Sequence, residues 1–123
     1  MYTVCVEDWF AAAHYLRNYH GKCENPHGHN YRVKVYVSGK QLDKGGMLID
    51  FSILKKHLKN VLEALDHHDL NSTPCFKELE PSAENISRYI YDSLKTFLPV
   101  GVHMAGVEVS ETEKNSVLYQ EDA

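Results

Sequence analysis

Cysteine is scarce in this chain, and so is positive charge. The 123 residues include only three cysteines and no C-x-x-C pair, which argues against a disulfide framework and against a cysteine-based zinc site. The formal net charge is −4, whereas proteins that coat nucleic acid or membrane surfaces depend on a basic excess. No apolar run approaches the ~20 residues that a membrane-spanning helix needs. We therefore expect a reducing compartment and neither nucleic acid nor a membrane as partner.

The length predicts a single domain over residues 1–123, because domains cluster near ~100–150 residues. The first residues lack the basic start and apolar stretch of a signal peptide, so we expect a cytoplasmic protein. Against the scarcity of cysteine stand eight histidines, and four of them fall within sixteen residues: His14, His20, His27 and His29. Because histidine is the commonest metal ligand, composition alone indicates a metal site.

Periodicity predicts six elements in the order ββααββ. They are strands over residues 2–13 and 27–38, helices that begin after the N-caps Asp50 or Ser52 and Ser82, and strands over residues 103–112 and 116–119. The predicted apolar stripes of the helices are Phe51, Leu54, Leu58, Val61, Leu62 and Leu65, then Ile86, Tyr89, Ile90, Leu94 and Phe97. We expect an α+β domain whose two helices cover one face of a four-stranded antiparallel sheet.

The tripeptide His27-Gly28-His29 is the strongest local signal for chemistry. Residues two apart on a strand project to the same face, so both imidazoles can reach one ion. His14 ends the first predicted strand and can lie beside them if the two strands pair. Three histidines with an open fourth position are typical of a catalytic zinc site rather than a structural one. An H-x-H pair alone is more often a pair of ordinary strand histidines.

Three further groups are candidates for proton transfer or binding. Cys23 lies in a polar loop beside Lys22, where a nearby cation or metal lowers a thiol's pKa and lets it act as a base. Asp66 precedes His67, and an aspartate can orient an imidazole for proton transfer, although the helix dipole alone also favours a histidine there. Glu111 continues the apolar face of a predicted strand, so its carboxylate needs a partner.

Six motifs in register resemble the 6-pyruvoyltetrahydropterin synthase and 6-carboxytetrahydropterin synthase family. The matching stretches are Phe10-Ala11-Ala12-Ala13-His14, Cys23-x-x-x-His27-Gly28-His29-x-Tyr31, Gly46-Met47-Leu48-Ile49-Asp50-Phe51, Leu65-Asp66-His67-His68-Asp69-Leu70-Asn71, Pro81-Ser82-Ala83-Glu84-Asn85-Ile86 and Val109-Ser110-Glu111-Thr112. They occur in the family's order and cover nearly the whole chain.

The resemblance implies the tunnelling fold, in which three subunits close a twelve-stranded barrel and two trimers stack into a homohexamer. By similarity, Zn²⁺ is held by three residues, His14, His27 and His29. Cys23 is expected to be the general base, and Asp66 with His67 a proton-transfer pair supplied across a subunit boundary. Glu111 is expected to anchor the amino-pyrimidine edge of the pterin. Glu84 and Lys22 are further substrate-binding candidates, and Lys22 lies with Arg17 and His20 in a loop suited to a triphosphate.

The implied activity is conversion of dihydroneopterin triphosphate to 6-carboxytetrahydropterin, with release of acetaldehyde and triphosphate, in queuosine biosynthesis. The short Cys-x-x-x-His spacing favours this bacterial type over a 6-pyruvoyltetrahydropterin synthase. Glu24 raises a third possibility, because one branch of the family uses a glutamate three residues before the histidine to cleave the dihydroneopterin side chain. A non-catalytic module that binds a pterin or purine is the hypothesis outside enzymes. Nickel or iron also suits an imidazole site.

Overall fold

Two long antiparallel strands form the centre of the sheet. The computed structural model describes residues 1–22 and 24–121, with β1 over Tyr2–His14 and β2 over His27–Gly39. Every residue of β1 has a partner in β2, from Tyr2 opposite Gly39 to His14 opposite His27. The histidines at the ends of the two strands are therefore neighbours by register.

The remaining elements extend this pair and cover it. They are α1 over Phe51–Glu63, β3 over His68–Asp69, two single 3₁₀ turns over Leu70–Ser72 and Pro74–Phe76, α2 over Ala83–Lys95, β4 over His103–Ser110 and β5 over Ser116–Tyr119. The strand order across the sheet is β3-β1-β2-β4-β5. Within the described segments, no helix is both long enough and apolar enough to cross a membrane.

Both helices begin at capping residues that the sequence predicts. The Asp50 carboxylate accepts a hydrogen bond from the Ser52 backbone N–H at 2.8 Å, and the Ser82 hydroxyl accepts one from the Asn85 N–H at 3.2 Å. Each cap satisfies a donor that the first helical turn leaves without an intrahelical partner. The two helices therefore start where local sequence chemistry indicates.

The core lies between the helices and one face of the sheet. Alternate residues of β2 are fully buried, and the helices pack their apolar stripes against them. The fully buried residues of this layer include Val33, Val35, Val37, Leu54, Leu58, Ile86, Ile90, Leu94, Val107 and Val109. The opposite face carries polar pairs, such as Arg32 with Glu7, whose Nε and Oε1 atoms are 3.3 Å apart. The apolar core therefore covers one face of the sheet, and charged side chains lie on the opposite face.

The predicted four-stranded antiparallel sheet is incomplete, because β3 adds a fifth, parallel strand. Ala12 pairs with His68 and Ala13 with Asp69, which makes the sheet mixed. A strand of two residues is too short to show an alternating pattern, so the sequence predicts only a loop there.

The predicted apolar stripes are wrong at two positions. Phe51 is 59% exposed at the start of α1, and Phe97 is 52% exposed beyond the end of α2 at Lys95. The Phe97 ring instead stacks on His57 with ring centroids 4.8 Å apart. Helical periodicity identifies which face of a helix is buried, but it does not show at which residues along the helix the burial begins and ends.

The first testable prediction concerns Gly39, where β2 ends against other chain segments. A Cβ at this position would lie 2.5 Å from the Gly101 carbonyl oxygen and 2.6 Å from the Leu48 Cδ1 atom. We predict that Gly39→Ala lowers the free energy of unfolding by about 1–3 kcal/mol, because the surrounding chain must move to relieve these contacts. Urea denaturation of the metal-free protein measures the loss.

Gly28→Ala, in the same strand, is the matched control. The nearest atom to a Cβ there is the Ala12 carbonyl oxygen at 3.8 Å, which is an ordinary van der Waals contact. We expect this substitution to change the free energy of unfolding by less than about 1 kcal/mol. Equal losses in the two variants would contradict the interpretation of Gly39.

Candidate metal centre

The register of β1 and β2 brings three histidines together. His14 lies opposite His27, and Ala12 lies opposite His29. His27 and His29 share one face because they are two residues apart on a strand, and His14 joins them from the neighbouring strand. One ring nitrogen from each of the three lies within 4.8 Å of the others. The structure therefore assembles the histidine set that the sequence singles out.

Backbone carbonyls fix the tautomers of two of these rings. His14 Nδ1 donates to the Pro81 carbonyl oxygen at 2.6 Å, and His27 Nδ1 donates to the Asn25 carbonyl oxygen at 3.0 Å. Since a carbonyl only accepts, each Nδ1 carries the proton and each Nε2 of a neutral ring presents a lone pair. A hydrogen bond from the second ring nitrogen to a carbonyl is the usual means of orienting a metal-binding histidine.

The two Nε2 atoms face one another at 3.0 Å. Two lone pairs at this separation repel, so the neutral arrangement calls for a proton or a cation between them. Tetrahedral zinc with bonds of about 2.0–2.1 Å separates its ligand nitrogens by about 3.3 Å, close to the observed distance. The donor chemistry of the pair therefore fits a metal ion.

His29 completes the set, and its side chain is 21% exposed. Its Nε2 atom is buried and has no hydrogen-bond partner among the described residues. Burial lowers the pKa of His29 below its ordinary value; the Glu111 carboxylate opposes this shift, while His27 and His14 add to it. A neutral ring with an unused lone pair is the form that binds a metal.

Glu111 places a carboxylate beside the histidines. Its Oε1 atom is 3.8 Å from His14 Nε2, and its Oε2 atom is 3.7 Å from His29 Nε2. Both distances are too long for hydrogen bonds, so the carboxylate retains accepting capacity. Strand β4 ends at Ser110, and Glu111 therefore emerges from the sheet at the mouth of the triad. A negative charge at this point favours a cation and can also accept donors from a ligand.

Tyr31 packs against two rings of the triad. The side chain is fully buried, its ring stacks on Phe10 at 4.6 Å, and it meets the rings of His14 and His29 edge-on. The hydroxyl has no partner among the described residues. Burial raises the pKa of Tyr31, and the carboxylates of Glu111 and Glu24 raise it further, so the hydroxyl stays protonated.

Asp66 and His67 are bound to the edge of β1. Asp66 Oδ1 accepts from the Ala11 N–H at 2.9 Å, and the His67 N–H donates to the Ala11 carbonyl at 2.6 Å. His67 adopts a left-handed backbone with φ of 57°, which is uncommon for a residue with a side chain. Its ring is 83% exposed, with Nε2 3.5 Å from Asp66 Oδ2. The pair is fixed at its backbone while the imidazole projects outward.

A shared cavity connects this pair with the triad. A hollow of about 490 Å³ is lined by both His29 and His67, together with the small residues Ala11, Ala13 and Gly28. Small side chains on both long strands leave this space open. The structure therefore brings a predicted metal ligand and a predicted proton carrier to the same cavity.

Cys23, the predicted general base, lies outside the described residues. Its neighbours Lys22 and Glu24 line a second hollow of about 640 Å³, to which His20 and His27 also contribute. The exposed Lys22 thus lines the same hollow as one predicted metal ligand, His27.

Two other predicted substrate contacts receive less support. The Arg17 guanidinium, instead of facing a triphosphate, donates to the carbonyls of Leu79 and Asn71 at 3.2 and 3.0 Å. Glu84 is exposed in the first turn of α2 and, within the described part of the chain, does not line any of the cavities that border the triad. Arg17 therefore has a structural role, and substrate binding by Glu84 stays a prediction.

Sequence reasoning missed the groups that orient the ligands. The carbonyls of Pro81 and Asn25 belong to the backbone, and no residue type signals which carbonyl a distant imidazole will meet. Tyr31 could have been found, because it continues the alternating face that carries His27 and His29.

Comparisons with known proteins agree with this layout. A family model described as 6-pyruvoyl tetrahydropterin synthase matches residues 3–122. The human 6-pyruvoyl tetrahydrobiopterin synthase is 41% identical over 104 residues, which are 81% of this chain and 71% of that protein. The 6-carboxy-5,6,7,8-tetrahydropterin synthase of a Synechocystis strain is 36% identical over 124 residues, 97% and 93% of the two chains. The solved Caenorhabditis elegans 6-pyruvoyl tetrahydropterin synthase has a TM-score of 0.86 at 32% identity, covering 98% and 96%.

Sheet, helices and histidine centre define a pterin-synthase-type α+β protein with the tunnelling fold. The chain belongs to the 6-pyruvoyl tetrahydropterin synthase family. The resemblance recognised in the sequence motifs is thereby confirmed, and membership supports a pterin as substrate and lyase-type chemistry.

The second prediction is that the triad binds a divalent metal. Zinc at about 100 times its Kd should raise the free energy of unfolding by about 2.7 kcal/mol, because only the folded chain assembles the site. His29→Ala should abolish most of this gain. Zinc affinity should also fall as the pH drops from about 7.5 to about 5.5, since protons compete for the imidazoles. Thermal unfolding and zinc titration calorimetry measure these effects.

His103→Ala is the control for this prediction. His103 pairs with Ser38 at the opposite end of the sheet from the triad, so its loss should leave zinc stabilisation intact. Undiminished zinc stabilisation in His29→Ala would show that the metal binds elsewhere.

The third prediction concerns the Tyr31 hydroxyl. Since a buried donor without a partner costs about 1–3 kcal/mol, Tyr31→Phe should leave the free energy of unfolding unchanged or raise it in metal-free protein. Tyr36→Phe is the comparison, because the Tyr36 hydroxyl donates to Glu108 at 3.3 Å and its loss should cost about 0.5–1.5 kcal/mol. A larger loss at Tyr31 than at Tyr36 would contradict this account.

Proposed function

We propose that this chain is a zinc-dependent lyase that converts 7,8-dihydroneopterin triphosphate to 6-carboxytetrahydropterin, releasing acetaldehyde and triphosphate. The observation that carries the proposal is the cluster of three imidazoles with the Glu111 carboxylate 3.8 and 3.7 Å from the Nε2 atoms of His14 and His29. One end of this site suits a cation, and the adjoining carboxylate suits the paired N–H donors of an amino-pyrimidine.

Each predicted site residue has a role in this proposal. The imidazoles of His14, His27 and His29 would hold Zn²⁺, which when bound supplies a Lewis acid that acidifies substrate hydroxyls. Glu111 would orient the pterin ring by accepting two hydrogen bonds, which fixes the side chain of the substrate relative to the triad. Its 31% exposure and two open oxygens support this role.

Proton transfer is assigned to Cys23 on one side of the substrate and to His67 on the other. The outward imidazole of His67, with the Asp66 carboxylate 3.5 Å away, can exchange protons without moving the backbone. The backbone hydrogen bonds to Ala11 would keep the ring at a constant position during turnover. Lys22, and less directly Glu84, are proposed to contact the substrate, with Lys22 near the triphosphate.

The carboxy product is favoured by the extent of one comparison. The Synechocystis 6-carboxytetrahydropterin synthase aligns over 97% of this chain and 93% of its own length, and the short Cys-x-x-x-His spacing adds to this support. The second candidate is 6-pyruvoyltetrahydropterin synthase activity, favoured by 41% identity to the human protein. Cleavage of the dihydroneopterin side chain with Glu24 as base is a third candidate, and non-catalytic binding of a pterin or purine is a fourth.

We propose a homohexamer, formed as a dimer of trimers in which barrel closure completes each active site. The two outer strands of the sheet, β3 and β5, present edges that can pair with another copy. His67 adjoins the β3 edge and is largely exposed, so its imidazole is accessible to a neighbouring copy as well as to the cavity that it shares with His29 of its own chain. We also propose that residues 1–123 form a single domain and that the protein is cytoplasmic. Its proposed pathway is queuosine (deazapurine) biosynthesis.

The fourth prediction identifies the reaction. Purified zinc-loaded protein should release acetaldehyde from dihydroneopterin triphosphate in amounts equal to the 6-carboxytetrahydropterin formed, because one carbon–carbon cleavage yields both. Liquid chromatography of the pterins and an alcohol dehydrogenase assay for acetaldehyde measure them. A 6-pyruvoyl product without acetaldehyde would favour the second candidate. Release of a two-carbon aldehyde that still carries the triphosphate would favour cleavage with Glu24 as base, and tight pterin binding without turnover would favour the binding module.

The fifth prediction tests the shared active site. Cys23→Ala and His67→Ala should each lose at least about 10²-fold in kcat, as expected when a proton-transfer group is removed. Subunits of the two inactive variants, unfolded and refolded together in equal amounts, should recover up to about a quarter of wild-type activity, because one class of site then receives both intact groups. Each variant refolded alone is the control. Absence of recovery in verified mixed oligomers would contradict sharing across subunits.

A further inference from the structure

Glu24 satisfies both backbone polar groups of Leu16, two residues beyond the end of β1. The Glu24 N–H donates to the Leu16 carbonyl at 2.8 Å, and Glu24 Oε1 accepts from the Leu16 N–H at 3.1 Å. A carboxylate is the stronger kind of acceptor, because a charged partner shortens and strengthens a hydrogen bond. The side chain is 26% exposed, so water competes only in part for this contact.

This double contact is the base of a small hairpin. Tyr19 and Lys22 form two backbone hydrogen bonds of 2.6 and 3.1 Å. The two residues between them have φ angles of 52° and 80°, at His20 and Gly21, as a type I′ turn requires. Residues 16–22 therefore turn away from the end of β1, and Glu24 lies back against Leu16.

The position of Glu24 relative to the triad indicates how it can act on the site. Its Oε1 atom is 3.8 Å from His27 Nδ1, too far for a hydrogen bond, and that nitrogen already donates to the Asn25 carbonyl at 3.0 Å. Asn25 directly follows Glu24, so the contact that fixes Glu24 also fixes the carbonyl that orients the His27 ring. The carboxylate oxygen nearest the triad is at the same time the one bound to Leu16.

We propose that Glu24 is a positioning residue: its carboxylate fastens the hairpin that turns at His20-Gly21 to the segment after β1, and so sets the Asn25 carbonyl against His27. A general base needs a lone pair directed at the substrate proton, whereas this oxygen is directed at a backbone amide. This role of Glu24 adds a residue to the proposed active site. It rests on the proposed function only where enzyme activity is the measured quantity.

Three variants separate positioning from general-base catalysis. Glu24→Gln keeps an acceptor oxygen of equal reach but cannot take up a proton at neutral pH, and Glu24→Ala removes both capacities. Glu63→Gln, exposed at the end of α1, is the control for loss of one negative charge. We expect Glu24→Gln to keep kcat/KM within about threefold of wild type, with an unchanged pH profile. Glu24→Ala should lower kcat/KM and zinc affinity by about tenfold or more.

Amide hydrogen exchange at Leu16 reports on the hairpin without any substrate. The Leu16 N–H should remain protected in Glu24→Gln and exchange about tenfold faster in Glu24→Ala, because only the latter lacks the acceptor. Circular dichroism establishes that each variant retains the fold.

Two results would overturn the proposal. Activity lost at least about 10²-fold in Glu24→Gln, with Leu16 still protected, would identify Glu24 as the base. Leu16 exchange and zinc affinity unchanged in Glu24→Ala would show that the carboxylate does not hold the hairpin. If wild-type protein turns over no dihydropterin, the proposed function fails, while exchange and zinc affinity still decide the role of Glu24.

Discussion

Two imidazole nitrogens that face each other at 3.0 Å are the constraint on which this site depends. The Nδ1 atoms of His14 and His27 are already committed to the carbonyls of Pro81 and Asn25, so neither ring can turn away or change tautomer without losing a hydrogen bond. A bound cation would replace this repulsion by coordination. The antiparallel register of β1 and β2 holds the rings in place, and the helical layer that stabilises that register therefore also stabilises the histidine cluster.

The end of β1 anchors the other predicted functional groups as well. Ala11 is bound by Asp66 and His67, and Leu16 is bound by Glu24 through one side-chain and one backbone contact. Between them, the Asn71 amide both accepts from and donates to the backbone of Tyr15, with two distances of 2.9 Å. Segments far apart in sequence thus supply the backbone hydrogen bonds that a neighbouring strand would otherwise make to this end of β1. Because these contacts are made to β1 or to the two residues that follow it, the three histidines and the Asp66–His67 pair are held at fixed positions relative to one another.

Much of this arrangement follows from local patterns in the sequence. Alternation predicts β2 almost to its ends, capping residues predict both helix starts, and the spacing of His27 and His29 predicts a shared face. Strand β3 escapes prediction because two residues carry no period, and the exposure of Phe51 depends on where the layers end. The orienting carbonyls depend on tertiary contacts between backbone groups, which side-chain identity does not encode. The position of Glu24 three residues before His27 is compatible with both a catalytic and a positioning role. Its hydrogen bonds to Leu16 are what favour the positioning role.

X-ray absorption at the zinc edge of the metal-loaded protein counts the imidazole ligands of the metal. We expect three imidazole nitrogens at about 2.0–2.1 Å with one further oxygen or nitrogen ligand, since three histidines leave a coordination position open. The multiple-scattering signal of the imidazole rings should weaken when any one of the three histidines is replaced. A spectrum that requires fewer than three imidazoles, for example one in which a sulfur at about 2.3 Å takes the place of an imidazole nitrogen, would contradict a three-histidine centre.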